Sequence, residues 1–271
     1  MSAASTSSGK SGAARSRWIN LASFGVLLLF WFLITLPIGE KPLVPPLFLP
    51  SPGAVLDTFM TLLKNGYQGK SLAYHLGISL FRFGVGFGLT VIVAVPLGLW
   101  MGMNETIKAV LDPPIEITRP MPKLALLPLL IIWFGIGEVA KIVIIVLALF
   151  PILSISAMQA VRGVGRRKIQ AALALGASRT MIFRRVIFPA SLPGIFTSIR
   201  VSIGIGVTML VGAEMIATTA GIAWMAMSVS DFLLTNVVIV GALIMAILGY
   251  VLDLLARALE NRVVHWGGRE G

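Results

Sequence analysis

Six apolar stretches interrupt this chain, five of them about 20 residues or longer, the length a helix needs to cross a hydrocarbon layer. They cover residues 18–38, 76–103, 122–135, 139–160, 192–217 and 232–256; the third is short and flanked by prolines. In lipid a backbone has no water to bond, so such runs read as helices whose hydrogen bonds close within the segment. Composition agrees. The chain is 57% hydrophobic and 12% charged, whereas an ordinary soluble domain carries about 25% charged residues. The expected class is an all-α integral membrane protein.

Charge then orients the spans. Between Arg162 and Arg185 stand seven Lys or Arg and no Asp or Glu, and short loops rich in basic residues stay on the cytoplasmic side. Alternation from that loop places both termini and the loops at 104–121 and 162–190 inside, with 39–75, 136–138 and 218–231 outside. The division that follows is a disordered cytoplasmic tail at 1–17, an anchor helix at 18–38 and a periplasmic segment at 39–75. A core at 76–258 and a cytoplasmic tail at 259–271 complete it. Residues 18–38 run longer than the apolar part of a cleavable signal peptide and pass into Pro37 and the proline-rich 42–52, which favours a retained anchor. Within 39–75, Ser51 followed by Pro52 is a helix start, and Val55, Phe59 and Leu62 share one face. That helix either lies on the membrane surface or packs on the protein.

The formal charge of +11 would suggest nucleic acid in a soluble protein, but here the basic residues sit in loops and tails, so it reports orientation and no nucleic-acid partner is expected. Without cysteine there is no disulfide, thiolate or Cys-bound metal, and His75 and His265 are far apart, so no metal site is expected. Gly9-Lys10-Ser11 and Gly69-Lys70-Ser71 lack the glycine five positions earlier that a phosphate-binding loop requires; Ala4 and Lys64 stand there. The glycines at 84, 86 and 88 follow no strand, so a dinucleotide fingerprint is rejected too. No catalytic residue is assigned. Any energy this chain uses must therefore come from elsewhere.

The loop also carries a pattern. Gln170-Ala171-Ala172, three residues, Gly176, nine residues and then Val186-Ile187-Phe188-Pro189 resembles the EAA loop of ABC importer permeases: Glu-Ala-Ala, three residues, Gly, nine residues, Ile-x-Leu-Pro. The spacing agrees throughout, with Gln for Glu at 170, Val for Ile at 186 and Phe for Leu at 188. The resemblance implies two short helices hinged at Gly176 that dock on a separate ATPase. Gln170, Ala171, Ala172, Gly176, Arg179 and Pro189 are then the coupling residues. Small Ala171 and Ala172 allow close approach, Gly176 permits positive φ after a helix, and Pro189 is expected to stop the second helix.

Similarity extends over roughly residues 40–265. Leu49-Pro50-Ser51-Pro52, the stretch from His75 to Arg82, Arg119-Pro120-Met121-Pro122, Trp133-Phe134-Gly135-Ile136-Gly137-Glu138 and Ala213-Glu214-Met215-Ile216 look like the permease branch serving taurine, alkanesulfonates, nitrate or bicarbonate. They are most similar to taurine and alkanesulfonate permeases. The resemblance implies a type I ABC importer fold in the bacterial inner membrane. It also implies a second copy of the chain, two ATPase subunits that hold ATP and magnesium, and a periplasmic solute-binding protein. Nitrate, bicarbonate or an aromatic carboxylate are alternative solutes, and a secondary transporter or an intramembrane enzyme are alternatives of other classes.

Inside the spans, Gly84 with Gly88, Gly98 with Gly102 and Ser202 with Gly206 each put small residues on one helix face, where backbones can approach. Arg82, Arg200 and Glu214 are ionisable residues within or near spans, and a lone charge in lipid costs at least about 2.5 kcal/mol, so each should find a partner. Ser202, Gly204, Gly206, Thr208, Gly212 and Glu214 make the fifth span the expected pathway lining, with Glu214 and Arg82 as gate candidates.

Overall fold

The computed structural model describes residues 8–38, 41–216 and 218–266. Helix α1 (Ser8–Thr35) is followed by a two-residue ribbon, β1 (Pro37–Ile38) against β2 (Lys41–Pro42). Residues 8–17, expected to be disordered, are helical, and residues 1–7 lie outside the described residues. Extending an existing apolar helix back through this Ala-containing segment avoids the cost of nucleating a new one. Helix α2 (Pro52–Asn65) starts where expected: Ser51 Oγ accepts from Ala54 N at 3.3 Å and Pro52 occupies the first turn. Val55 and Leu62 are buried, so this face packs on the protein; Leu56, Met60 and Leu63 on the other side are exposed. Trp31 Nε1 donates to Pro50 O at 3.0 Å and ties α1 to the start of α2.

Helix α3 (Leu72–Met103) is followed by α4 (Glu105–Thr118), a 3-10 turn at Lys123–Leu126 and α5 (Leu127–Phe134). The expected inside loop at 104–121 is therefore mostly helix, and the short third span is the second arm of a pair bent by 87°. Asn104 starts α4, its Oδ1 accepting from Thr106 N and Ile107 N. Pro120 and Pro122 cannot continue it. The freed carbonyls find a cation instead: Lys123 Nζ donates to Thr118 O, to Arg119 O at 2.9 Å and to Met121 O at 3.0 Å.

Helix α6 (Glu138–Arg162) runs parallel to α3, and after the loop helices α7 (Arg166–Ala174) and α8 (Arg179–Ile182) the chain enters α9 (Phe188–Glu214). A short helix, α10 (Ile222–Ser228), then leads into α11 (Thr235–Val263). Helix α11 continues five residues into the expected tail, where Glu260 pairs with Arg200; just before it Asp253 pairs with Arg257. Residues 267–271 lie outside the described residues. Among the described residues four helices are long and apolar enough to cross a membrane, or five counting the bent pair as one span; in α1 the apolar helical part is Gly25–Thr35.

The α3–α6 contact organises the molecule, and glycine sets its closeness. A Cβ on Gly98 would lie 2.2 Å from Ser154 O, and one on Gly102 would lie 2.6 Å from Val161 Cβ. Gly86, not the expected Gly84 or Gly88, approaches Ile145; the latter two have no atom within 4 Å of a Cβ position. Helix α9 adds a third layer: Gly206 meets Phe83 and Leu149, and Gly212 meets Leu124. In lipid the solvent is as apolar as leucine, so dispersion across these close contacts is what holds the helices together.

Candidate functional site

Two groups of residues stand at opposite ends of the α3, α6 and α9 layers. At the first end, Gly176 has φ +77 and closes α7 with a double cap: Gly176 N donates to Leu173 O at 2.9 Å and Ala177 N to Ala172 O at 3.1 Å. Ser178 Oγ then accepts from Met181 N and starts α8. The result is the expected helix, glycine, helix arrangement. Gln170, Ala171, Gly176 and Arg179 are exposed and Ala172 is half-buried. Leu175 on the hinge is 88% exposed. Arg162 Nη2 and Glu105 Oε2, 2.8 Å apart, fasten the loop to the start of α4.

Pro189 does not stop a helix. Helix α8 runs through a π turn at Phe183–Ile187 directly into α9, so that Arg179–Glu214 is one helical span and Pro189 lies in the first turn of α9. In the π turn Phe188 N reaches Phe183 O, five residues back. The wider turn absorbs the ring and the missing N–H of Pro189 without breaking the rod.

At the far end, Arg82 and Glu214 meet. Arg82 is 1% exposed and Glu214 is 0% exposed, with Arg82 Nη1 2.8 Å from Glu214 Oε1. Every N–H of Arg82 is used: Nε and Nη2 bind the two oxygens of Glu138 at 2.5 and 2.8 Å, Nη1 also binds Ala220 O, and Nη2 also binds Thr218 Oγ1. Glu214 further accepts Ser79 Oγ at 2.8 Å and Ala223 N at 3.0 Å. Ser79 Oγ accepts Ile222 N, and His75 Nδ1 accepts Gly221 N at 3.2 Å. With His75 Nε2 3.2 Å from Tyr67 O, the ring is neutral and carries its proton on Nε2. Two carboxylates thus face Arg82 and the buried Lys141, whose Nζ lies 3.6 Å from Glu138 Oε1. A balanced cluster removes the cost that either charge would carry alone.

This cluster staples the 218–223 segment over the ends of α3 and α9. Gly221 has φ +130, and a Cβ there would sit 2.4 Å from the Glu214 carboxylate. The 218–231 segment, expected as an outside loop, is a tethered turn followed by α10, whose Ile222, Ala223 and Met225 are buried. Sequence reasoning identified Arg82 and Glu214 but missed Glu138, Lys141, His75 and Ser79. A Glu and a Lys three residues apart at the start of an apolar helix were the available signal. Arg200 finds its partner in α11, with Nε 3.0 Å from Asp253 Oδ1.

The other lining candidates separate onto two faces of α9. Ser202, Gly206 and Gly212 are buried inside the subunit, where they pack and line no surface, while Gly204 and Thr208 are exposed. Thr208 Oγ1 donates back to Gly204 O at 3.0 Å. Helical phase explains the split, since residues four apart share a face and residues two apart do not.

Comparison with known proteins agrees with this architecture. Residues 94–265 match the family model for the binding-protein-dependent transport system inner membrane component. The taurine transport system permease protein TauC of Escherichia coli (strain K12) is 40% identical over 256 residues, covering 94% of this chain and 92% of the relative. A putative aliphatic sulfonates transport permease protein SsuC of Bacillus subtilis (strain 168) is 33% identical, covering 95% and 91%. The nitrate import permease protein NrtB of Synechocystis sp. (strain PCC 6803) is 30% identical, covering 89% and 87%. Among solved structures, the MetNI methionine ABC transporter in inward-facing conformations superposes with a TM-score of 0.58 at 19% identity, covering 71% of this chain and 95% of that one. An amino acid ABC transporter superposes with a TM-score of 0.54 at 19% identity, covering 78% and 96%. With its helices, exposed hinge loop and full-length relatives in agreement, the chain belongs to the family of binding-protein-dependent transport system inner membrane components, ABC permease subunits that have no catalytic site of their own.

Proposed function

We propose that two copies of this chain form the membrane passage of an ATP-driven importer for small sulfonates, taurine or an alkanesulfonate, in the inner membrane of a bacterium. The observation that carries the reading is the 40% identity to a taurine permease along nearly the whole chain, joined to an exposed helix, glycine, helix loop at one end. On this reading the loop end is cytoplasmic and receives two ATPase subunits, which hold ATP and magnesium. The far end is periplasmic and receives a solute-binding protein. Six spans, with both termini in the cytoplasm, complete the topology, α1 being the first and the bent pair the third.

Residues Gln170, Ala171, Ala172, Gly176 and Arg179 transmit the ATPase movement through α8 into α9, because the continuous rod from Arg179 to Glu214 joins the loop to the far-end cluster. Arg82 and Glu214 hold the outer gate, and Thr208 on the exposed face of α9 lines the passage. Reconstitution with its ATPase and binding protein tests the reading: ATP-dependent uptake of radiolabelled taurine or ethanesulfonate is expected. Uptake of nitrate with no uptake of either sulfonate would assign the chain to the second solute class, which the nitrate permease relative supports. Uptake that persists without ATP would favour the secondary-transporter alternative.

A further inference from the structure

A cavity of about 210 Å³ opens beside the far-end cluster, lined among others by Lys70, Tyr74, Glu138, Lys141 and Thr219. Drug-sized sites begin at about 300 Å³, so this one suits a headgroup or a very small solute. Arg82 also borders it but has no free donor, since all five of its N–H groups are taken. Lys141 differs. It is 5% exposed, and the nearest carboxylate oxygen, Glu138 Oε1, lies at 3.6 Å, beyond hydrogen-bond distance. An ammonium has three protons to donate, and the single ion pair with Glu138 leaves donors for a further acceptor.

Three further features favour an anion. Gly137 provides no side-chain cap for α6, so the first-turn N–H groups of a 25-residue helix open beside the cavity. Lys70, whose Nζ stands 4.9 Å from the centre of the Tyr74 ring, adds a second cation at the rim. Lys70, Arg82 and Lys141 face Glu138 and Glu214, leaving one net positive charge, and Glu214 is fully buried behind Arg82. Among the described residues Glu138 is the carboxylate that lines the cavity, and its oxygens are already held by Arg82.

We propose that this cavity is a docking subsite for the sulfonate group of the solute, with Lys141 as its central donor, Lys70 as the rim cation and Thr219 as a neutral donor. The inference rests on reading the chain as a sulfonate importer. It assigns the subsite to the end away from the ATPase loop, where a solute released by a binding protein arrives before it enters the passage.

The test uses the full chain assembled with its ATPase in phosphatidylcholine nanodiscs, without binding protein, and equilibrium dialysis of radiolabelled ethanesulfonate at constant ionic strength. Saturable binding is expected, weakened at least tenfold by Lys141→Gln and several-fold by Lys70→Gln, restored to within a few-fold by Lys141→Arg and unchanged by Lys64→Gln on exposed α2. Should Lys141→Gln fail to assemble, Lys70→Gln and Thr219→Ala at the rim carry the test. No saturable binding to the wild type, or binding that Lys70→Gln and every assembled Lys141 variant leave within twofold, overturns the subsite. So does displacement when phosphatidylglycerol replaces part of the phosphatidylcholine, which would give the pocket to a lipid headgroup. Uptake by the wild type with its binding protein is scored separately. Sulfonate uptake without this binding removes the subsite and keeps the importer; this binding without uptake of any sulfonate removes the importer and keeps an anion site.

Discussion

Gly98→Ala should destabilise the fold while the same substitution at Gly84 should not. At Gly98 the added methyl carbon would lie 2.2 Å from Ser154 O, 2.7 Å from Ala157 Cβ and 3.1 Å from Met158 N. A carbon and a carbonyl oxygen normally rest about 3.3–3.6 Å apart, so α3 and α6 must separate by roughly 1 Å. Two of the three atoms are backbone, so no rotamer change relieves the clash. Overpacking of this kind costs about 1–3 kcal/mol, and a gap of about 1 Å forfeits up to half of each contact well along the interface. Replacing a helical glycine by alanine returns up to about 1 kcal/mol through propensity. The net for Gly98→Ala is a loss of about 1–2 kcal/mol, equivalent to a roughly 5- to 30-fold fall in the folded-to-unfolded ratio. At Gly84 nothing lies within 4 Å, so only the propensity term remains and the sign reverses. Thermal unfolding of both variants in one detergent, followed by circular dichroism and by size-exclusion of the surviving monodisperse fraction, measures the difference. Equal shifts for Gly98→Ala and Gly84→Ala would refute the packing argument.

Three further predictions follow the same logic. Gly176→Val places a β-branched side chain at φ +77, a strain of about 1–3 kcal/mol; the variant should still insert but lose ATPase co-purification and uptake, and wild-type levels of both would remove the hinge role. Glu214→Gln keeps the shape of the cluster but leaves Arg82 and Lys141 facing one carboxylate, so transport measured at saturating solute should fall more than apparent affinity changes; wild-type kinetics would return Glu214 to a purely structural part. Single cysteines at Ser178 and Gly268 should be shielded from a membrane-impermeant thiol reagent in intact cells, and one at Ser228 should react; labelling of position 178 from outside would invert the proposed topology.

Local rules carried a good part of this protein. Hydropathy located the four long apolar helices because crossing a membrane is a property of one segment against its solvent, and the Ser51 cap and the positive φ at Gly176 were legible because each depends on a few neighbouring residues. The cost of an unpaired charge in lipid singled out Arg82 and Glu214 without any knowledge of what they touch.

What the sequence could not decide was which residues face one another. Helices such as α3 and α9 are apolar nearly all round, so periodicity does not mark a buried side. Gly98 and Gly102 became contact points as expected, but Gly86 took the place of Gly84 and Gly88, and Ser202 and Gly206 turned inward while Thr208 turned out. Pro189 was expected to end a helix, and a π turn let the rod continue. The bent α4 and α5 pair depended on Lys123 reaching carbonyls in the preceding helix. The far-end cluster joins residues 56 to 146 positions apart. Helix formation and burial in lipid are settled within one segment, and so were determined by the sequence alone; pairing of faces and charges exists only once distant segments have packed, and so belonged to the tertiary structure.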